Sequence, residues 1–192
     1  MSDNASHQVV TFRVGEDEFA ADIMAVERVL RYVRPTVVPN LPEWVEGVIE
    51  YEGRVIPVID LARRFQIERA GGDDAGGGGA STRRVIVFAV GDEWVGAVVD
   101  SVLEVVVIPG DRLSPPPAIF RGLSAEYLRG LVRRADSKRG GVAGPDAALL
   151  IFLEVERLLS ATERLVLERA LANDAVARAV DGSPRSARGN DA

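Results

Sequence analysis

Three polar residues of this chain are candidates for catalysis by their type, namely His7, Asp60 and Asp100. A catalytic triad needs a base that accepts a proton near neutral pH, and His7 is the only histidine. Because His7 lies in an N-terminal segment expected to be frayed, we do not expect a catalytic or metal-binding role for it. Asp60 and Asp100 each end an apolar run, where two carboxylates could do acid–base chemistry in a cleft. The favoured alternative is that each caps a turn by accepting backbone N–H bonds.

Other patterns for chemistry are weaker. The chain has no cysteine, which excludes disulfides, thiolate chemistry and cysteine-ligated metals. The glycine run 76–79 lacks the Lys-Ser/Thr pair of a phosphate-binding loop, so it is interpreted as linker. Trp44 and Trp94 could anchor a partner on the surface, although large aromatic residues are more often part of the core. The sequence therefore predicts no cofactor and favours surface recognition over catalysis.

The overall charge argues against nucleic acid as a partner. Acidic residues outnumber basic ones by 29 to 23, and the net charge is -6 with a pI near 5.0. The basic run Arg133, Arg134, Lys138 and Arg139 has no interleaved aromatic residues and is interpreted as a solvated loop. Neither a membrane-spanning apolar run nor a signal peptide is evident, so we expect a cytoplasmic protein without membrane insertion.

A β-hairpin is predicted over Gly47 to Leu61, GVIEYEGRVIPVIDL. Two apolar runs flank Glu52-Gly53, and Gly53 can take the positive φ that a tight turn requires. Pro57 lacks an N–H donor, so either its strand lies at a sheet edge or the residue itself lies at a break in the ladder. An edge strand could recruit a partner.

Similar β-strand patterns recur along the chain, which predicts a mainly β protein built as small barrels or a sandwich. The segment 69–82 is rich in glycine and is predicted to be a flexible linker between two β-rich halves. The two halves begin alike, since VTFRVGEDEFAADI in the first aligns with VIVFAVGDEWVGAVVD in the second. This likeness suggests two similar barrels. Residues 154–181 are rich in helix-forming residues and predict one long helix, and residues 182–192 predict a disordered tail.

The order of these motifs resembles the CheW-type coupling proteins of chemotaxis. The resemblance is carried by Trp44-Val45-Glu46-Gly47-Val48, the Gly53 hairpin, IPVIDL, VGAVVDSVLEVVVIP, Pro115-Pro116-Pro117, EYLRGL and LLIFLEVERLL, and it covers about residues 8–160. It implies a mainly β fold of two intertwined five-stranded SH3-like barrels, with a first barrel over about 8–68 and a second over about 83–153. It also implies a non-catalytic scaffold that links the cytoplasmic tips of chemoreceptors to a CheA-type histidine kinase, at membrane-associated receptor arrays.

Two charges differ from what the resemblance implies. Family members usually carry Glu where this chain has Arg28, and Arg where it has Glu52. One hypothesis is that Arg28 and Glu52 lie on neighbouring strands and form an ion pair, so that the exchange keeps a contact and inverts its polarity. The alternative is two unrelated surface substitutions.

Residue by residue, the resemblance implies a partner-binding set of eight residues: Val26, Arg28, Gly47, Glu52, Gly53, Val98, Val99 and Val105. The valines are ambiguous, because alternate residues of a strand face opposite sides. Two other functions stay open. One is an adaptor of a divergent system that does not bind a kinase, and the other is a small β-barrel enzyme or ligand binder with a pocket that joins Asp60 and Asp100.

Overall fold

The computed structural model describes residues 5–39, 41–69, 82–116, 127–133 and 149–159, together with residues 163, 164, 168, 169 and 172. Eleven strands dominate the described residues, with one short helix, α1 (Leu61–Phe65), and 3₁₀ turns at Ile23–Ala25, Gly110–Arg112 and Val155–Arg157. The strands are β1 (His7–Val14), β2 (Asp17–Asp22), β3 (Val26–Arg31), β4 (Val45–Tyr51), β5 (Arg54–Asp60), β6 (Arg84–Val90), β7 (Glu93–Val99), β8 (Ser101–Ile108), β9 (Leu113–Ser114), β10 (Leu128–Arg133) and β11 (Leu149–Leu153).

The strands form two sheets that exchange strands between the two halves of the chain. The first sheet has the order β8-β1-β2-β11-β10-β9, and the second sheet has the order β3-β6-β7-β5-β4. The expectation of one barrel over 8–68 and another over 83–153 is therefore corrected, because each sheet takes strands from both sides of the 69–82 segment. The mainly β, intertwined architecture is confirmed, although the first sheet also contains a sixth, two-residue strand.

The two sheets repeat one plan. In each, an antiparallel hairpin (β1–β2 or β6–β7) lies beside a third strand that crosses over from the other half, β8 or β3, and beside a parallel strand, β11 or β5. Both hairpins turn on a glycine in the left-handed region, Gly15 with φ 61° and Gly91 with φ 64°. The similarity between the halves noted in the sequence is thus a structural repeat, in which β3 and β8 are equivalent strands.

The main core lies between the two sheets. Phe12 and Phe19 of the first sheet pack with Ile59, Ile86 and Phe88 of the second in one buried cluster. Two smaller clusters fill the other face of each sheet. In β6, successive residues alternate between the shared core and the smaller cluster, so both faces of this strand are buried. Because both sheets contribute to one apolar core, they should fold and move as one body.

The strand that contains Pro57 is interior, which corrects the expectation of an edge. β5 lies between β4 and β7. Its parallel pairing with β7 runs over Val58 to Asp60, so Pro57 lies just before that ladder begins. Val48 lies opposite Pro57 and forms its backbone hydrogen bonds with Thr36 instead. The Val48 N–H donates to the Thr36 carbonyl at 2.9 Å, and the Thr36 N–H donates to the Val48 carbonyl at 2.8 Å. The other interpretation, a proline at a break in the ladder, is the correct one.

The first residues of the long helix predicted over 154–181 have a different structure. Val155–Arg157 form a 3₁₀ turn, and Leu158 and Leu159 follow it buried in the shared core. The described residues at 163, 164, 168, 169 and 172 are helical, so helical structure begins after the core contacts rather than at residue 154. The predicted tail, 182–192, lies outside the described residues.

Candidate partner-binding surface

Arg28 and Glu52 form an ion pair on the surface. Arg28 lies on β3, Glu52 lies in the turn between β4 and β5, and the Arg28 Nη2 to Glu52 Oε1 distance is 3.8 Å. Both side chains are more than half exposed, at 58% and 54%. The predicted contact is therefore present, but the two residues are not on neighbouring strands, since β3 and β4 lie at opposite ends of the second sheet. An exposed pair at this distance stabilises the fold by at most about 0.5 kcal/mol, so both charges remain available to a partner.

The turn that carries Glu52 is tightly specified. Glu52 has φ 51° and Gly53 has φ 73°, the two positive values of a two-residue type I′ hairpin. The sequence prediction of a positive φ at Gly53 is thus confirmed. A Cβ on Gly53 would meet nothing within 4 Å, so the residue is open to solvent. A non-glycine residue in the left-handed region is strained, which costs free energy. At Glu52 this strained backbone conformation places the carboxylate beside Arg28.

Gly47 belongs to the interior, which corrects its place in the partner-binding set. It is buried, with φ 141°, and a Cβ at this position would overlap the carbonyl of Thr36. Thr36 forms a bridge to Val48 by two backbone hydrogen bonds, so the chain after β3 approaches β4 closely at this point. The glycine is needed for that approach rather than for contact with a partner.

The four predicted valines have different environments. Val98 and Val99 are fully buried, one in the second sheet's own cluster and the other in the shared core, so neither can touch a partner. Val26 is half-buried and packs against the shared core. Val105 on β8 is 49% exposed. The sequence could not separate these valines, because β7 is buried on both faces and therefore shows no alternation.

Val105 is the centre of an exposed apolar stripe. Leu103, Val105 and Val107 occupy alternate positions of β8, and their exposed fractions are 38%, 49% and 62%. Alternate residues share a face, and β8 is the end strand of the first sheet. Sequence reasoning missed Leu103 and Val107. Because alternate residues of a strand share a face, the choice of Val105 could have been extended to the residues two positions before and after it. We call these three residues the β8 stripe.

The equivalent strand β3 presents a different face. Its register against β6 matches that of β8 against β1, so that Val29 corresponds to Val105 and Arg31 to Val107. The exposed residues of β3 include Glu27, Arg28 and Arg31, with Val29 40% exposed among them. The two end strands therefore offer one mainly charged and one apolar face.

Asp60 and Asp100 are joined, but by an arginine. Arg69 donates from Nη1 and Nη2 to the two Asp60 oxygens at 2.6 and 2.9 Å, and from Nε to Asp100 at 2.9 Å. Asp60 also accepts from the backbone N–H groups of Ala62 and Arg63, which caps α1. The capping interpretation of both carboxylates is confirmed, since Asp100 accepts from the N–H of Gly15 at 2.6 Å.

The environment of Asp60 holds it in its charged form. Its side chain is fully buried, and burial by itself raises the pKa of the carboxyl. The hydrogen bonds and positive charge of Arg69, with the backbone N–H of Arg63, outweigh burial and keep the pKa of Asp60 below its ordinary value. A carboxylate that is buried, ionised and fully hydrogen-bonded is suited to holding structure together rather than to transferring protons.

The same ion-pair network holds both ends of the predicted linker. Arg69 is the first residue of the linker, and its side chain is only 12% exposed. Arg83 is the first residue after the linker, and its Nη2 lies 3.7 Å from Asp60 Oδ2 and 2.8 Å from Glu46 Oε1. Glu46 in turn accepts from the Tyr32 hydroxyl, and burial followed by the Glu46 charge raises the pKa of Tyr32. Arg69 is therefore fixed rather than flexible. Residues 70–81, including the glycine run, lie outside the described residues.

The remaining candidates are structural. His7 is not frayed: it lies in β1, is buried, and meets the Phe152 ring edge-on at 5.6 Å between centroids. Trp44 and Trp94 are half-buried against apolar clusters, as the core interpretation expects, and each carries an arginine over its ring. Of the basic run, Arg133 ends β10 and is exposed, and the other three residues lie outside the described part of the chain.

The described residues contain neither a metal-binding cluster nor a membrane-spanning helix. Within them, His, Asp and Glu side chains do not form a group of three or more that could bind a metal ion. Among the helical residues that the structure describes, none belongs to a helix long and apolar enough to cross a membrane.

Comparison with known proteins agrees with this architecture. A family model described as the CheW-like domain matches residues 8–163. The chemotaxis protein CheW of Treponema pallidum is 30% identical over 159 residues, which are 81% of this chain and 84% of that protein. The chemotaxis protein CheW of Klebsiella aerogenes is 28% identical over 166 residues, covering 86% of this chain and 89% of that protein.

A solved structure shares the fold as well. The scaffolding protein TtCheW from Thermoanaerobacter tengcongensis superposes with a TM-score of 0.67 at 26% identity, covering 83% of this chain and 96% of that one. Two sheets that exchange equivalent strands, a family model over most of the chain and this structural likeness agree with one another. The chain belongs to the CheW-like domain family.

Proposed function

We propose that this protein is a non-catalytic chemotaxis scaffold that couples the cytoplasmic tips of chemoreceptors to a CheA-type histidine kinase. The observation that carries the proposal is the pair of equivalent end strands, β3 and β8, which present different chemistry from one shared core. A stripe of exposed apolar residues on an end strand marks a protein-interaction surface. The proposed site of action is a membrane-associated receptor array.

The mechanism of such a scaffold is geometric. The two sheets share an apolar core, so the faces on β3 and β8 keep a fixed separation and orientation. A partner bound to one face is then held near a partner on the other, which raises their effective concentration without chemistry at either site. Neither partner needs a pocket, because edge strands and exposed side chains supply the contacts.

The Arg28–Glu52 pair gives this scaffold a means of choosing its partners. Because the pair adds little to stability, its larger effect is on docking, where like charges placed face to face can cost several kcal/mol. A partner that binds here would carry an acidic group opposite Arg28 and a basic group opposite Glu52. A partner with the opposite pattern would be rejected, which suits a dedicated chemosensory system.

The proposal of an enzyme or small-ligand binder has less support. It required a pocket that joins Asp60 and Asp100, and the space between these carboxylates holds the Arg69 guanidinium. Every oxygen of the two side chains accepts a hydrogen bond from Arg69 or from backbone N–H groups. A substrate would have to displace a buried, bidentate ion pair before it could reach either carboxylate.

Capture from the native cell tests the proposal. Tagged full-length protein should retain both a chemoreceptor and a histidine kinase, identified by mass spectrometry. Val105→Asp places a charge in the β8 stripe and should release one of them, whereas Arg28→Glu should release the other. Retention of a receptor without a kinase would favour the divergent adaptor, and retention of neither by the wild-type chain would contradict the scaffold.

A further inference from the structure

The buried carboxylate of Asp60 joins two arginines from different parts of the chain. Arg69 follows α1, and it donates from Nη1 to Asp60 Oδ2 at 2.6 Å and from Nη2 to Oδ1 at 2.9 Å. Arg83 directly precedes β6, and its Nη2 lies 3.7 Å from the same Oδ2. Each guanidinium is thus held by the shared carboxylate, and each also contacts a second group near one of the end strands.

Arg69 holds the point at which the chain passes from one sheet to the other. Asp100 is the single residue between β7, in the second sheet, and β8, in the first. Its Oδ1 accepts from Arg69 Nε at 2.9 Å, and its Oδ2 accepts from the Gly15 N–H at 2.6 Å. The Asp100 N–H donates to the Arg13 carbonyl at 2.9 Å. Because β8 starts at the next residue, these contacts fix the direction in which β8 leaves the second sheet.

Arg83 holds the end of β3 in a similar way. Tyr32 directly follows β3, and the Arg83 guanidinium carbon lies 4.2 Å from the centre of its ring. Glu46 of β4 joins the two side chains, since Oε1 accepts from Arg83 Nη2 at 2.8 Å and Oε2 accepts from the Tyr32 hydroxyl at 2.9 Å. β3 and β4 are the two end strands of the second sheet and are not neighbours in it. Side chains therefore fix the end of β3 relative to β4.

We infer that Asp60 is the positioning residue for both β3 and β8, with Arg83 setting the orientation of β3 and Arg69 that of β8. The inference rests on the proposed function, in which these two strands carry the partner faces. Asp60 is fully buried, so it acts through the two arginines rather than by contact with a partner. A strand that is already held in its binding orientation loses less conformational freedom when a partner docks. Loosening one arginine should therefore weaken one partner and spare the other.

Amide hydrogen exchange on the full-length protein tests the two contacts without a partner. Arg69→Met removes the charge and keeps a long side chain, so it should speed exchange in β8 by about ten-fold and in β3 by less than about two-fold. Arg83→Met should have the opposite pattern. Each variant is the control for the other, because a loss of overall stability alone would affect both strands alike. Equal changes in the two strands, or no change in either, would overturn the inference.

Milder variants keep the test available if a methionine variant does not fold. Asp100→Asn weakens only the outer contact of Arg69, and Glu46→Gln weakens only that of Arg83, so Asp60 stays paired in both. Asp100→Asn should speed exchange in β8 by about three-fold and spare β3, whereas Glu46→Gln should speed it in β3 and spare β8. The same change in both strands for either variant would contradict the assignment.

Binding measured by calorimetry extends the test to the partners. Arg69→Met should weaken by about ten-fold the partner that Val105→Asp releases, and Arg83→Met should weaken the partner that Arg28→Glu releases. In each variant the affinity for the other partner should stay within about two-fold of the wild-type value. Equal weakening of both partners would show a general loss of stability. Strand-selective exchange in a protein whose wild type binds neither partner would support the positioning role and contradict the proposed function.

Discussion

The two sheets share one strand arrangement, but the residues at the ends of equivalent strands differ. At the end of β5, Asp60 is buried in ion pairs with Arg69 and Arg83, whereas at the equivalent end of β11 Glu154 contributes a backbone bond to the Tyr127 carbonyl at 2.8 Å. The third strands differ as well, since β3 exposes charges and β8 exposes the β8 stripe. A repeated architecture thus supports one sheet with an internal ionic anchor and another with an exposed apolar stripe.

The largest expected difference between the sheets concerns the ends of β5 and β11. Asp60→Asn should lower the free energy of unfolding by about 3–5 kcal/mol, because it leaves buried guanidinium groups without their shared carboxylate. Glu154→Gln, the matched change after β11, should alter it by less than about 0.5 kcal/mol. Urea denaturation of the two variants measures both values, and equal losses would show that the ionic anchor is not specific to the second sheet.

The stability contributed by Asp60 should depend on pH. The pKa of Asp60 is lower in the folded chain than in the unfolded one, so its stabilisation is complete above the unfolded pKa of about 4 and is lost as the pH falls through the folded pKa. The stability gap between wild type and Asp60→Asn should therefore shrink between pH 6 and pH 2. Denaturation at several pH values checks this, and a gap that stays constant would mean that Asp60 is not the titrating group.

Substitutions at a buried and at an exposed valine should separate the core from the proposed docking face on β8. Val99→Ala should cost about 2 kcal/mol of stability, since it removes two buried carbon atoms from the shared core. Val105→Ala should cost less than about 0.5 kcal/mol, because Val105 is half exposed. Thermal unfolding measures the stability of the two variants, and capture from the native cell measures whether each still binds its partners. A large loss of stability at Val105, with partner binding intact, would place it in the core instead.

The smallest effect on stability is expected at the Arg28–Glu52 pair. Arg28→Glu, Glu52→Arg and the double variant should each lie within about 0.5 kcal/mol of the wild-type stability, because both groups are exposed. Binding should behave differently, with each single variant weakened. If the pair acts as a unit, the double variant will differ from the sum of the two single effects. Strict additivity would support two unrelated substitutions.

The sequence was most informative where structure depends on near neighbours. The Glu52-Gly53 hairpin follows from local backbone chemistry and was found where the pattern indicated. The turns at Gly15 and Gly91 have the same local origin. The strand runs were also recognisable by their β-branched residues. Most of the described strands could therefore be predicted, because turns and strand composition act over a few residues.

What the sequence could not supply depends on distant contacts. The exchange of β3 and β8 between the sheets, and the parallel pairing of β2 with β11, bring together residues far apart in the chain. A strand that is buried on both faces is a continuous apolar run. The sequence around the buried residues Val98 and Val99 therefore resembles that around the exposed residue Val105. Arg69 likewise appeared to open a glycine-rich linker, because its two carboxylate partners are brought to it only by the fold.

A scaffold must bind its second partner while the first remains in place. The direct measurement is to saturate the full-length protein with the kinase and then titrate the receptor tip by isothermal calorimetry. We expect a receptor affinity within about two-fold of that for the free protein, since β3 and β8 are separate faces of one body. Displacement of the kinase by the receptor, or a receptor affinity lowered in proportion to the kinase concentration, would contradict it.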